Sequence, residues 1–293
     1  MALRLRRRER AATGVHRLLL TQVQRIGACV TAAPLTAQHV HEARQRLKRL
    51  RALLRLLRGQ LPTELSTRGH GLCRTLAQSL ASSRDATVLA QTLDRLRQGP
   101  EAAAIDFAIW QARLSGGSGG DETAPHASLA ALNSLRQWAE EVLRWPLGAG
   151  GWALFAPGLT HTYRAGRRAF RQARALGRDE DFHDWRKRVK DRWYQLALLR
   201  RMGQPKLGEH LARLRGLAKQ LGREHDLTML IERLAQLGDG PESVASLVRL
   251  AQRARRPLRR RALRAGRRLY ADGPRRDLNR LHQFWRGWRS GRD

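Results

Sequence analysis

An eight-residue motif occurs twice in this chain, and its repetition constrains the fold more than any other feature. The segments HEARQRLK (41–48) and HDWRKRVK (183–190) both read His, acid, any residue, Arg, any residue, Arg, aliphatic, Lys. A second pair, LASSRDATVL (80–89) and LGREHDLTML (221–230), shares Leu, a basic residue, Asp, Thr and Leu at the same spacing. The first pair is offset by 183 − 41 = 142 residues and the second by 226 − 85 = 141. Two matches at nearly one offset indicate an internal duplication.

The repeated unit is predicted to be helical. Strand-forming residues are scarce, with nine Val and four Ile among 293 residues. Apolar residues recur instead at helical spacing, as in the series Ala43, Leu47, Leu50, Leu54 and Leu57. Such a seam packs against other helices. The pattern therefore predicts an all-α chain of roughly eight to ten helices.

Turn residues divide the predicted helices, and the long period of the duplication sets the domain organisation. A repeat of this length is too long for a solenoid unit and suits two similar helical bundles in tandem. We place the first bundle in residues 1–145 and the second in 146–293. Pro257 is expected to kink or split its helix, and SGGSGGDETAPH (115–126) is typical of a flexible loop. Gly- and Pro-containing breaks occur at 58–62, 99–100, 145–151, 202–205, 238–241 and 273–274.

The chain carries 57 Lys and Arg against 25 Asp and Glu, a formal net charge of +32. Repulsion of this size opposes compaction unless a polyanion relieves it. Nucleic acid, an anionic membrane surface and inorganic polyphosphate all meet that requirement, and composition does not choose among them. The two cysteines lack metal or redox spacing, and no apolar run is long enough for a membrane span. These features favour a cytoplasmic protein.

The repeated motif aligns cations along a helix. Residues at i, i+3 and i+7 share one face, so His41, Arg44 and Lys48 lie in one row. Arg51, Arg55 and Arg58 extend this row, which covers about 21 Å from Arg44 to Arg58 at ~1.5 Å per residue. Such a row suits a linear polyanion, because Arg makes forked hydrogen bonds to phosphate and Lys supplies a compact charge. The second copy supplies His183, Arg186 and Lys190, and there Trp193 replaces the cation that corresponds to Arg51.

The two His motifs and the Asp motifs that follow them resemble the CHAD family, the conserved histidine α-helical domain. This resemblance implies two four-helix bundles related by a pseudo-two-fold axis, with a basic channel or groove near that axis. It also implies binding of inorganic polyphosphate, and some family members associate with polyphosphate granules. Gln45 and Trp193 depart from the family pattern. The motif positions fall on His41, Arg44, Gln45, Lys48, Arg49, Leu50 and Arg51, and on His183, Arg186, Lys187, Lys190, Arg192 and Tyr194.

Two further basic stretches, 163–174 and 255–268, add candidate contacts to the two motifs. Asp85 and Asp226 are interpreted as partners in ion pairs or as helix caps. The complete set of predicted polyphosphate-binding residues is His41, Arg44, Lys48, Arg49, Arg51, Arg55, His183, Arg186, Lys187, Lys190, Arg164, Arg168 and Arg264.

Two alternative functions remain open at this stage. An RNA- or DNA-binding protein would fit the charge, but aromatic residues make up only 5% of the chain. Trp110, Trp138, Trp145, Trp185 and Trp193 have the helical spacing of core residues rather than of base-stacking platforms. A metal-dependent enzyme acting on polyphosphate would need carboxylates that hold a metal, and the sequence shows no recognisable metal constellation. We therefore expect a non-enzymatic binding protein without a cofactor or metal.

Overall fold

The prediction of an all-α fold is confirmed. The computed structural model describes residues 5–80, 84–99, 105–115, 124–148, 150–199, 206–236 and 241–291, and these contain eleven α-helices and no β-strand. That is slightly more helices than the eight to ten expected. They are α1 (Ala11–Val30), α2 (Ala37–Leu56), α3 (Thr63–Ser79), α4 (Arg84–Arg97), α5 (Phe107–Ser115), α6 (Ala124–Arg144), α7 (Ala156–Leu176), α8 (Asp179–Leu198), α9 (Lys206–Gln236), α10 (Pro241–Leu269) and α11 (Pro274–Ser290).

The helices form two bundles in tandem. In the first half, α1, α2, α3 and α6 pack on one another, and in the second half α7, α8, α9 and α10 do so, with α11 against α7. The apolar seam from Ala43 to Leu57 is buried in the first bundle. Both ends of α8 lie 142 residues after the ends of α2, so these two helices are the matching elements of the duplication. In contrast, the continuous helix α9 corresponds to the separate helices α3 and α4.

Part of the first half packs against the second. The helices α4 and α5 join the end of α9 and the start of α10 in a separate hydrophobic cluster. Its buried members include Leu93, Trp110, Leu230 and Leu247. The junction near residue 146 does fall between α6 and α7, beside a short 3-10 helix at Trp152–Leu154. The division into 1–145 and 146–293 stays a prediction, because the two halves share this second core.

The matching helices α2 and α8 pack against each other. Gln195 donates hydrogen bonds to the Ala52 carbonyl at 3.4 Å and to Thr162 Oγ1 at 3.0 Å. Arg55 Nη1 lies 3.0 Å from Asp191 Oδ1. Residue numbers rise along α2 as they fall along α8, so the two helices run antiparallel. Ala52 and Tyr194 are equivalent by the 142-residue offset, which places the crossing at the pseudo-two-fold axis.

Several local expectations are corrected by the structure. Trp145 is 41% exposed and Trp193 is only partly buried, whereas the other three tryptophans assigned to the core are buried. Pro257 does not split its helix: α10 continues through it, because packing along α9 outweighs one lost backbone hydrogen bond. The last three residues of the expected loop 115–126 belong to α6, and residues 116–123 lie outside the described ranges.

Both cysteines are buried and free, as their apolar character predicts. Within the described part of the chain, none of the helices combines the length and the apolarity that a bilayer crossing requires.

The close approach of α7 to α2 depends on Gly158. A Cβ at this position would overlap the backbone carbonyl of Leu56, which cannot move without displacing α2. We therefore expect Gly158→Ala to lower the free energy of unfolding by about 1–3 kcal/mol in urea denaturation. Gly216→Ala is the matched control, because a Cβ there meets open space. It should stabilise α9 by up to ~1 kcal/mol. Equal effects of the two substitutions would contradict the described packing of α7 on α2.

Candidate anion-binding site

A cavity of about 440 Å³, termed here the central cavity, lies where α2 and α8 cross. Arg and Lys make up eight of its ten lining residues. Because both helices contribute, the duplicated motif converges on one site. The lining residues are Lys48, Arg51 and Arg55 of α2, Arg74 of α3, and Arg186, Lys187, Arg188, Lys190, Asp191 and Tyr194 of α8.

The cations reach this cavity because they lie next to the apolar seams of their helices. When the seam of α2 packs into the first bundle, the neighbouring row is left half-buried rather than pointing to bulk water. The Nε atom of Arg51 is fully buried and has no hydrogen-bond partner among the residues that the structure describes. A buried donor without a partner is costly, and Arg51 as a residue borders the cavity.

Among the residues that the structure describes, Asp191 is the single carboxylate that lines the central cavity. It accepts a hydrogen bond from Arg55 and lies 3.8 Å from Arg188 Nη1. Burial raises the pKa of Asp191, while the neighbouring Arg55 and Arg188 oppose that shift. Burial has the opposite effect on the Arg55 guanidinium: it lowers that pKa, and the nearby Asp191 carboxylate raises it again in part. One carboxylate among eight cations leaves the cavity strongly electropositive.

A second cavity of about 400 Å³, termed the end cavity, adjoins the first and shares Arg55 and Arg188 with it. It also contains Arg58, which continues the predicted row on α2, and two histidines, His70 and His161. Neither histidine was among the predicted binding residues, because each stands outside the repeated motifs. The packing of α3 and α7 around the end of α2 places His70 and His161 next to the cations of that helix.

The start of the first motif lies outside both cavities. The Arg44 guanidinium donates hydrogen bonds to the carbonyls of Ala77 and Leu80 at the end of α3. It therefore satisfies carbonyls that a helix end leaves open. His41 Nε2 lies 2.7 Å from Gln45 Nε2. Arg49 lines neither cavity.

His183 of the second motif pairs with a second imidazole, His225 of α9. The Nδ1 atoms of His183 and His225 are 3.2 Å apart, and the ring centroids are 4.4 Å apart. Burial lowers the pKa of both rings, and nearby cations including Arg186 and Lys187 lower it further, to about 3 for His225. The pair is therefore neutral at pH 7. His225 directly precedes Asp226 in the Asp motif, where the first copy has Arg84.

The three candidates from the flanking basic stretches lie outside the cavities. Arg164 and Arg168 are exposed on α7, and Arg168 is close enough to His161 to lower its pKa. Arg264 is exposed on α10, two residues from Gly266, which packs against Phe170 and Trp185. Two residues on a helix are ~200° apart, so Arg264 faces away from the site.

Asp226 forms an ion pair with Arg95 at 3.5 Å, in line with a structural role. The side chain of Asp85 lies outside the described part of the chain.

The groove beside α2 in the first half and the matching groove beside α8 in the second half are lined by different residue types. The 142-residue offset maps the first-half groove residues Arg51, Arg55, His70 and Arg74 onto Trp193, Ala197, Ala212 and Gly216. These four second-half residues line a separate groove of about 480 Å³, whose cations are Arg215 and Lys219. The cationic surface is therefore built from the first-half residues Arg51, Arg55 and Arg74, together with Arg186, Lys187 and Lys190 of α8.

Comparisons with known proteins agree with this fold. A sequence model of the CHAD domain matches residues 17–235. The chain belongs to the CHAD family. Its structure is similar to the crystal structure of the CHAD domain from the plant Ricinus communis, with a TM-score of 0.66. That match has 21% sequence identity and covers 94% of this chain and 96% of the plant chain, so it shows a shared fold. A search of curated proteins found no match.

Asp191 should oppose anion binding while supporting the fold. Asp191→Asn removes the negative charge from the central cavity and leaves Arg55 without an ionised partner. We expect tighter binding of a polyanion, together with a free energy of unfolding lower by about 3 kcal/mol. Binding titrations and urea denaturation measure the two effects separately. Weaker polyanion binding by the folded variant would show that Asp191 holds the cations in their binding geometry.

Proposed function

We propose that this CHAD protein binds inorganic polyphosphate in the central cavity. The observation that carries the proposal is the convergence of eight Lys and Arg side chains from α2, α3 and α8 around one carboxylate. A linear chain of phosphates matches such a site, since each phosphate offers oxygens to a guanidinium fork or an ammonium group.

The shape of the cationic surface supports an extended ligand rather than a single anion. The central and end cavities share Arg55 and Arg188, so their cations form one continuous path. On α2 and the turn after it, this path consists of Lys48, Arg51, Arg55 and Arg58, which lie on one face of the helix. Several phosphates bound along this path would release several counterions, which makes binding steeply dependent on salt.

Nucleic acid is the second candidate, and the absence of tryptophan from the described lining of both cationic cavities argues against it. Trp110, Trp138 and Trp185 are at most 3% exposed, so they offer no stacking surface to bases. Tyr194 is the single aromatic residue in the described lining of the central cavity, and it is 8% exposed. We expect single-stranded RNA to displace polyphosphate poorly when the two are compared at equal phosphate concentration. Efficient displacement by RNA would favour the nucleic-acid function.

We further propose that binding is not followed by cleavage, and that the protein associates with polyphosphate granules in the cytoplasm. The Arg95–Asp226 ion pair supports a structural role for the repeated Asp, rather than a role in holding a metal. Magnesium-dependent release of phosphate that is abolished by Asp226→Asn would contradict the first part of this proposal.

A triple substitution in the central cavity tests the proposed site. Lys48→Gln, Arg51→Gln and Lys190→Gln together remove three charges that face the ligand. At about 1.5–3 kcal/mol for each charge-assisted hydrogen bond, affinity for long-chain polyphosphate should fall by roughly 1,000-fold or more. The slope of log affinity against log salt should fall by about 2. Titrations at several salt concentrations measure both quantities.

A matched control comes from the exposed face of α10. Arg261→Gln, Arg264→Gln and Arg268→Gln remove the same total charge from residues that line neither cavity. This control should lower affinity less than threefold. If both triple variants lose affinity equally while their folds remain intact, binding follows net charge and the proposed site is wrong.

A further inference from the structure

The end cavity has the features of a phosphate site in its own right. Thr63, Ser66 and Thr67 of the first turns of α3 line it. Pro62 precedes this helix, and within the described chain no side chain caps its first N–H groups. An uncapped helix start carries partial positive charge and free donors, which together favour a phosphate group.

Three arginines line the cavity beside this helix start. Arg55 and Arg58 come from the end of α2 and the turn that follows it, and Arg188 comes from α8. None of the described residues that line the cavity is a carboxylate. Two acids stand close by without lining the cavity: Glu64 is in the first turn of α3, and Asp191 pairs with Arg55 and Arg188 from the central cavity.

Two imidazoles complete the lining. His70 lies among Arg51, Arg55 and Arg74, and its Nδ1 atom is buried without a hydrogen-bond partner in the described chain. His161 lies among Arg55, Arg58, Arg168 and Arg188. Burial and then these cations lower the pKa of both rings, to about 4 for His70. Both imidazoles are therefore neutral at pH 7 in the absence of an anion.

We propose that the end cavity is a second phosphate subsite, in which His70 and His161 take up protons when a phosphate chain binds. The inference rests on the proposed function and extends it to residues outside the repeated motif. A bound phosphate offsets the charge of the surrounding guanidinium groups and accepts hydrogen bonds from imidazolium. Both effects raise the pKa of the two imidazoles and favour their protonation. Binding of the chain is thereby linked to pH.

The direction of this linkage follows from the two states. If phosphate returns the pKa of His70 from about 4 to its ordinary value of 6.5, the complex holds more protons than the free protein below pH 6.5. Affinity should then rise on acidification, by roughly tenfold at pH 5.5 relative to pH 7.5 for that histidine. Without ligand the same histidines oppose folding as the pH falls below 6.5, because the unfolded chain binds protons that the folded chain rejects.

A double substitution isolates this contribution. His70→Asn and His161→Asn keep a hydrogen-bonding side chain at each position but cannot take up a proton. Affinity for long-chain polyphosphate should match the unsubstituted protein at pH 7.5 and fall at least roughly tenfold below it at pH 5.5. Titration calorimetry in two buffers of different ionisation enthalpy should show fewer protons taken up by the variant. The pair His183 and His225 is intact in both proteins, so its titration contributes equally to both.

Two comparisons keep the result interpretable. His282→Asn, on α11 and outside both cavities, should leave the pH dependence unchanged. His161 is exposed, so His161→Asn alone serves if substitution of the half-buried His70 disturbs the fold, and it should still reduce proton uptake. An unchanged pH dependence in the folded variants would overturn the subsite while leaving the central cavity in place. Absence of polyphosphate binding by the unsubstituted protein would instead overturn the proposed function.

Discussion

The fold and the site both depend on the burial of apolar seams beside rows of cations. On α2, the leucine seam enters the first bundle, and this packing holds the neighbouring guanidinium and ammonium groups in a cleft. Hydrophobic burial, at roughly 25 cal/mol per Å² of apolar area, drives this arrangement against charge repulsion. Asp191 relieves only part of that repulsion through Arg55 and Arg188. Repulsion among the cations therefore remains in the folded protein, and a bound polyanion would reduce it.

The duplication explains how one chain assembles such a cleft, and its divergence explains why the cleft is one-sided. The pseudo-two-fold axis passes near Ala52 and Tyr194, so α2 and α8 present their motifs to a common centre. Beyond that centre the halves differ. The first half continues the row with Arg55, Arg58 and His70, whereas the second half has an aromatic residue and small residues at the matching groove positions. The continuous cationic path therefore leads into the first-half groove.

Much of this could be predicted from the sequence, because periodicity and repetition are local signals. The seam from Ala43 to Leu57, the helical class and the pairing of the two motifs all follow from spacing. Tertiary contacts decide the rest. Arg44 and Lys48 occupy the same face of α2, yet Arg44 binds the carbonyls at the end of α3 while Lys48 lines the cavity. His70 and His161 carry no sequence signal, since helices distant in the chain bring them to the cations. His225 stands in the repeated Asp motif, but its contact with His183 depends on the packing of α9 on α8. Arg264 fits a basic row in the sequence but lies on an outward face.

The most direct measurement is a crystal structure of the protein with a bound polyphosphate chain. We expect connected phosphate density in the central cavity, in contact with Arg51, Arg55 and Lys190. We also expect this density to extend past Arg188 toward Arg58 and the start of α3. Phosphate density confined to the outer faces of α7 or α10, with the crossing of α2 and α8 empty of phosphate, would contradict it.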